Sequence, residues 1–346
     1  MYHTFVTIAI PMLITFAFTF GAIWFLMPYM LGAGITAVDM NKRTKPVLPC
    51  GMGTALSFGI TIGLLSYTFG ASFGLYSPVA PLDDLFGAML SMLLITGVGF
   101  IDDINVRASV GKATGMMSTR IGLKQWQKPI LTILGALPLM AINAGVHMVD
   151  LPFVGTVSLG IIYPLILLPL AVIFVSNSVN LLGGFDGLQP LMALAAAIGL
   201  LIYCIIFGTY VGAFLSALLC AALLAMLPFN LYKAKVVPGD SFTYAVGATM
   251  VAIMVMGNAE SFGIIIFIPW MIEFLLHLRK RFKVTDLGIR QKDGTFKAPY
   301  GKRIYSLTHV VMNLKKANET DVAYYLTALE VLFVVIAFAL KLTGHL

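Results

Sequence analysis

The sequence predicts an all-α, polytopic membrane protein of about ten transmembrane helices, and three observations predict it. First, 59% of the 346 residues belong to the set AVILMFWYC and only 11% are charged, whereas a soluble domain is about half apolar and about a quarter charged. Second, apolar runs close to the roughly 20 residues that a spanning helix needs recur along the whole chain. Third, the basic residues fall in alternate connections between those runs, as they do when one side of a bilayer is cytoplasmic.

The runs, in order, are 4–29, 51–75, 85–101, 129–144, 159–175, 188–207, 211–228, 242–257, 261–276 and 322–342. The first has no Lys or Arg ahead of it, exceeds the apolar part of a signal peptide and lacks a small-residue cleavage site, so it reads as a true first helix. The third and fourth runs are short, and their ends are the least sharply defined. The connections are too brief for a separate soluble domain, so 1–346 reads as one integral-membrane domain. The longest polar stretch, 277–321, reads as a larger loop with a turn at Lys292-Asp293-Gly294.

Of the 22 Lys and Arg, 21 lie in the connections after runs one, three, seven and nine, and Lys341 is the exception. The other side carries Asp83, Asp84, Asp150 and Glu260. The basic side is expected to be cytoplasmic, with both termini outside and the active site on cytoplasmic loops. The sequon Asn318-Glu319-Thr320 then faces the cytoplasm, where it would not be glycosylated. Cys204 and Cys220 sit in apolar runs and Cys50 in a polar connection. That spacing fits neither a disulfide framework nor a metal site.

The polar residues that could carry chemistry gather on the basic side. Run three ends in Asp102-Asp103, two adjacent carboxylates at a helix C-terminus, where the helix dipole disfavours negative charge. Solvated acids at a membrane boundary are one reading. A site for a divalent cation, a phosphate-bearing substrate or a proton is the other. After run five, Asn177 and Asn180 share a helical face, and Asp186 follows in a glycine-rich reversal. Asp240 precedes run eight and could be a plain helix cap. Carboxylates plus an amide, completed by substrate phosphate and water, suit Mg²⁺ better than a transition metal. Lys112, Lys124, Lys128 and the stretch Arg279-Lys280-Arg281-Phe282-Lys283 either follow membrane topology or complete a pocket for a diphosphate. Glu273 and Glu330 lie inside runs nine and ten, and an acid within a span is a functional candidate.

Five stretches on this one side are 39–49, which contains Lys42; 99–103; Gln125-Trp126-Gln127-Lys128-Pro129; 177–188; and 229–240. In order along the chain they resemble the polyprenyl-phosphate N-acetylhexosamine-1-phosphate transferase superfamily, of the glycosyltransferase family 4 type. Within it the sequence is most similar to the archaeal and eukaryotic UDP-GlcNAc:dolichyl-phosphate branch. The resemblance covers nearly the whole chain. It implies Asn180 and Asp240 as Mg²⁺ ligands, with Mn²⁺ as a substitute, and Lys128 at the diphosphate with Asp103 orienting it. It further implies Asp102 as proton acceptor and Asp186 at the uracil. Asn177, Lys42, Arg279, Arg281 and Lys283 are added as substrate-binding candidates. An insertion between Asp103 and Lys128 leaves Lys112 at the family's usual spacing from the acid pair, so the two lysines compete for one role. Cys50 stands where an acid is common, and Val237 or Pro238 where an aromatic ring is common. The last loop lacks both the bacterial triple-histidine and the eukaryotic Pro-Arg-His-Arg motif.

The reaction so implied is transfer of N-acetylglucosamine-1-phosphate from UDP-GlcNAc to a polyprenyl or dolichyl phosphate at the bilayer, releasing UMP. The expected localisation is a cell membrane, or the endoplasmic reticulum membrane in a eukaryote. A homodimer is compatible with this reading and a nucleic-acid partner is not expected. Two readings of other classes stay open at this stage. They are a secondary transporter, for which Glu273 and Glu330 are the only foothold, and a non-catalytic scaffold. Another UDP-N-acetylhexosamine, of the cell-wall precursor type, is the alternative within the family.

Overall fold

A computed structural model describes residues 2–104, 122–146, 148–151 and 155–346. It is mainly helical: α1 (Tyr2–Ala33), α2 (Gly53–Ser72), α3 (Leu82–Ile104), α4 (Gln127–Thr132), α5 (Leu137–Ala141), α6 (Leu168–Leu181), α7 (Leu188–Ile206), α8 (Tyr210–Asn230), α9 (Asp240–Met256), α10 (Glu260–Ile266), α11 (Ile268–Leu278), α12 (Leu307–Leu314) and α13 (Glu319–Leu342). Three short antiparallel hairpins accompany them. These are β1 (Thr36–Val38) with β2 (Val47–Pro49), β3 (Met148–Leu151) with β4 (Gly155–Ser158), and β5 (Ile289–Arg290) with β6 (Phe296–Lys297). Lys112 lies outside the described residues.

Among the described residues, seven helical segments are long and apolar enough to cross a membrane: α1, α2, α3, α6 with the π turn before it, α7, α8 and α13. An eighth is α10 joined to α11, a pair bent by 55°. The bend has a local cause. Pro269 at the start of α11 has no N–H to continue the ladder from α10, and its ring crowds the preceding turn.

Two of the ten apolar runs take other forms. The fourth, 129–144, is broken into α4, a 3₁₀ turn at Ile133–Gly135, and α5, which carries Pro138 near its start. The eighth becomes α9, 17 residues long and buried along its entire length. Continuous apolarity in α9 therefore reports the centre of the bundle and not contact with lipid. Among the span-length helices the least buried are α1 and α13, which present Phe16, Trp24, Phe25, Leu332 and Val335 outward.

Glycine lets the centre close around the start of α9. A Cβ at Gly53, the first residue of α2, would collide with the backbone of Ser241 and Phe242. One at Gly99 in α3 would stand 2.6 Å from Asp240 O and Ser241 N. Both helices thus touch the α9 backbone directly, and Asp240 is held where the end of α3 and the start of α2 meet.

The stretch after α11 folds onto the same end of the bundle. Asp293 closes the β5–β6 turn by accepting from the Thr295 N–H and hydroxyl at 3.0 and 2.6 Å. Ser306 caps α12, and Asn318 with Asp321 forms a capping box on α13. Glu273, in α11, accepts from Leu307 N at 2.7 Å and lies 2.9 Å from His277 Nε2. It thereby fastens this stretch to the bundle, which accounts for one of the two acids that kept a transporter reading open. Glu330 is fully buried, and its carboxylate has no hydrogen-bond partner among the described residues.

Candidate active site

Two lysines, each ringed by carboxylates, stand at the end of the bundle where these loops meet. Lys128 projects from α4, and its ammonium lies 2.8 Å from Asp102 Oδ2 and pairs with Asp240 Oδ2. The other oxygen of Asp102 accepts the Leu123 N–H at 2.5 Å. Burial works against the charged Lys128, but the charge of Asp240 and the hydrogen bond to Asp102 outweigh it and raise its pKa above the ordinary lysine value. Lys128 therefore stays an ammonium at neutral pH, fixed between Asp102 and Asp240.

Asp103, next along α3, does something different. Its Oδ1 accepts from Asp240 N at 2.7 Å and its Oδ2 from Ser241 N at 3.0 Å. It caps α9 from outside the helix, satisfying two of the amide groups that a helix start leaves open. The sequence suggested that Asp240 itself was a cap. Instead Gly239, at φ +84, is the capping position. A Cβ there would stand 2.7 Å from both oxygens of Asp103, so the position favours glycine.

Asn177 and Asn180 both come from α6. Asn177 donates to Thr132 Oγ1 at 3.1 Å and Ile173 O at 2.8 Å, tying α6 to the short helix that carries Lys128. Asn180 Oδ1 accepts from Thr243 Oγ1 at 3.1 Å. Asn180, Asp186 and Asp240 line one cleft of about 420 Å³, together with Asp39, Gln189 and Asp286.

The second lysine, Lys42, follows β1. Its Nζ is 2.6 Å from Asp186 Oδ2, 2.6 Å from Glu319 Oε2 and 3.2 Å from Asp39 Oδ2, and it lies 5.0 Å from the Tyr232 ring centroid. Burial disfavours this ammonium too, but hydrogen bonds to Asp186 and Glu319 prevail and raise its pKa. The three acids bring oxygens within 4.8 Å of one another, a spacing that could hold a metal ion. Lys42 already places an ammonium among them. Asn180 and Asp240 also line the cleft, and an amide and a carboxylate are donor types that could hold a divalent ion together with substrate oxygens.

Arg279, Arg281 and Lys283 are exposed just beyond α11 and are not among the residues lining the cleft. Arg279 donates to Ile304 O at 3.5 Å and stacks 5.6 Å from the Tyr305 ring centroid. Three cleft or clamp residues escaped the sequence reading: Asp39, Asp286 and Glu319. Asp39 opens the first of the five motif stretches. Glu319 sits in a sequon considered only for glycosylation. Asp286 accepts from Gly183 N at 3.2 Å, and burial together with the charge of Glu273 pushes it up to about 6.

The structure is thus an apolar helical bundle of membrane-spanning character with lysine-bridged carboxylates and a polar cleft at one end. The chain belongs to glycosyl transferase family 4, whose model matches residues 85–258. It is 30% identical, over 97% of both chains, to a Saccharolobus solfataricus protein named as a candidate UDP-N-acetylglucosamine–dolichyl-phosphate N-acetylglucosaminephosphotransferase. It is 26% identical to the Dictyostelium discoideum protein named for that activity, over 73% of this chain and 67% of the relative. It is also 27% identical to a phospho-N-acetylmuramoyl-pentapeptide-transferase of Clostridium perfringens, over 81% of each.

Proposed function

We propose that this protein transfers N-acetylglucosamine-1-phosphate from UDP-GlcNAc to a polyprenyl or dolichyl phosphate, giving the lipid-linked sugar diphosphate and UMP. A lipid-phosphate oxygen attacks the β-phosphorus of the nucleotide sugar. The bond from that phosphorus to the bridging oxygen breaks, and UMP leaves with the oxygen. The bond at the anomeric carbon is untouched. The observation that carries this reading is the Lys128 ammonium, held between Asp102 and Asp240 beside the cleft.

Phosphoryl transfer asks a protein mainly for positioning and for fixed positive charge where negative charge builds up. Lys128 provides that charge, turning from its carboxylates toward the diphosphate. Asp103 keeps Asp240 in place through the α9 backbone. Asp102, on the same ammonium, would accept a proton from the lipid phosphate. Asn180 and Asp240 would hold Mg²⁺, or Mn²⁺ in its place, and the ion would offset charge on the diphosphate. Asp186 would face the base, and the exposed Arg279, Arg281 and Lys283, beyond the cleft lining, would meet the sugar or the lipid phosphate. In this reading the site faces the cytoplasm, with the termini outside and the lipid substrate arriving from the bilayer.

The test is to incubate purified protein in detergent with polyprenyl phosphate, Mg²⁺ and a panel of UDP-sugars, with and without chelator. Chelator-sensitive UMP release from UDP-GlcNAc, matched by a lipid-linked product, is the expected result. No UMP from any UDP-sugar by folded protein would overturn the reading. Preference for a different UDP-N-acetylhexosamine would move the protein to the cell-wall type.

A further inference from the structure

The N-terminus of α13 already has its cap, because Asn318 and Asp321 satisfy each other's backbone groups reciprocally. Glu319 is therefore not needed there, yet its carboxylate is only 3% exposed. Burying a carboxylate merely to face a helix dipole is unfavourable, since the dipole contributes less than burial costs. Both Glu319 oxygens are in fact committed elsewhere. Oε2 is 2.6 Å from Lys42 Nζ, and Oε1 accepts from the backbone N–H of Asp186 at 3.2 Å.

Asp186 is consequently gripped at two points. Its main-chain N–H is held by Glu319, while its Oδ2 accepts from Lys42 Nζ at 2.6 Å and from Ala234 N at 2.9 Å. Its Oδ1 has no hydrogen-bond partner among the described residues, and the residue lines the cleft. The neighbouring loops are drawn into the same grip. Asn41 donates through its side chain to Gly184 O, and Arg290 Nη1 donates to Asn41 O at 2.8 Å.

We infer that Glu319, acting with Lys42, is a positioning residue for nucleobase selection: the pair fixes Asp186 so that one carboxylate oxygen is spent on the protein and the other is a hydrogen-bond acceptor for the base. This rests on the transferase reading above, in which Asp186 faces the uracil. Uracil presents an N–H at ring position 3, where cytosine presents a lone pair. A carboxylate held in one orientation accepts from the first and repels the second. A carboxylate free to turn discriminates less, because it can move toward the cytosine amino group.

The test uses the full-length protein carrying Glu319→Ala or Glu319→Gln, with melting temperature and gel-filtration profile checked against wild type. Steady-state rates are measured with UDP-GlcNAc and CDP-GlcNAc, and UMP binding is measured by calorimetry. Glu319→Ala should raise KM for UDP-GlcNAc and Kd for UMP about tenfold, with kcat changed less than about twofold. The preference for UDP- over CDP-GlcNAc should fall by about tenfold. Glu319→Gln keeps an acceptor for the Asp186 N–H and should fall between. A purely structural role would lower the melting temperature and the active fraction while leaving KM and the UDP:CDP ratio at wild-type values, and that result overturns the inference. If wild type releases UMP from no UDP-sugar, the transferase reading fails separately, and calorimetry decides the inference. UMP binding weakened by Glu319→Ala supports it. Equal binding, or none by wild type, overturns it.

Discussion

The carboxylate of Asp103 holds the backbone of Asp240, accepting its N–H at 2.7 Å and that of Ser241 at 3.0 Å. Two acids separated by 137 residues in sequence thus divide their work, Asp103 facing the helix backbone and Asp240 the cleft.

Asp103→Ala removes a cap from a helix at the centre of the bundle, and the expected loss is about 1–2 kcal/mol of stability. Activity should fall with it, because Asp240 shifts. Asp240→Asn leaves the cap in place but takes one carboxylate from the Lys128 ammonium, and UMP release should drop about a hundredfold or more. Melting in detergent and UMP release, measured on both variants, would separate the two roles.

Replacing Lys128 by Met leaves Asp102 and Asp240 facing each other without a cation, and should lower the turnover rate about a hundredfold or more. Lys112→Met should stay within about threefold of wild type. Single-turnover rates on both variants resolve the competition between the two lysines.

The divalent ion proposed for Asn180 and Asp240 can be followed without turnover through Mn²⁺ binding, read by electron paramagnetic resonance. Asn180→Ala and Asp240→Asn should each weaken it at least about tenfold, whereas Asp39→Asn should leave it within about twofold. Loss of Mn²⁺ on Asp39→Asn would instead assign the ion to the acids around Lys42.

Asp286, pushed up to about 6 by burial and by the charge of Glu273, gives stability a pH dependence. Between its unfolded value of 3.8 and about 6 the folded protein binds the proton more tightly than the unfolded chain. The contribution is therefore full below the lower value and is lost as pH rises through the upper one. Melting temperature should decline across that window, and Asp286→Asn should flatten the decline.

Much of the candidate site's geometry was legible because its residues sit in short local motifs. Asp102-Asp103, Asn177 with Asn180, and Gly239-Asp240 are each spaced to sit on one helix end, and the bundle brings all three together. Which partner each acid takes was not legible. The resemblance implies that Asp103 orients Lys128; its hydrogen bonds are to the start of α9, and Asp102 is the acid that touches the lysine. Lys42, a substrate-binding candidate, has its ammonium among three carboxylates. The count of spans follows the same logic. An apolar run reports that a segment avoids water, and it does so equally for α9, walled in by other helices, and for α1, walled in by lipid.

That the chain is built of membrane-spanning helices was readable from its residues alone, and so were the polar stretches that interrupt the apolar runs. Composition suffices for that, because transfer free energy acts on each segment where it lies. Which carboxylate meets which lysine is set by helix packing. Glu319 reaches Lys42 across 277 residues, and an ion pair at that separation is set by how whole helices pack. Gly53 and Gly99 let α2 and α3 close on the α9 backbone, and that packing places Asp240 beside Lys128.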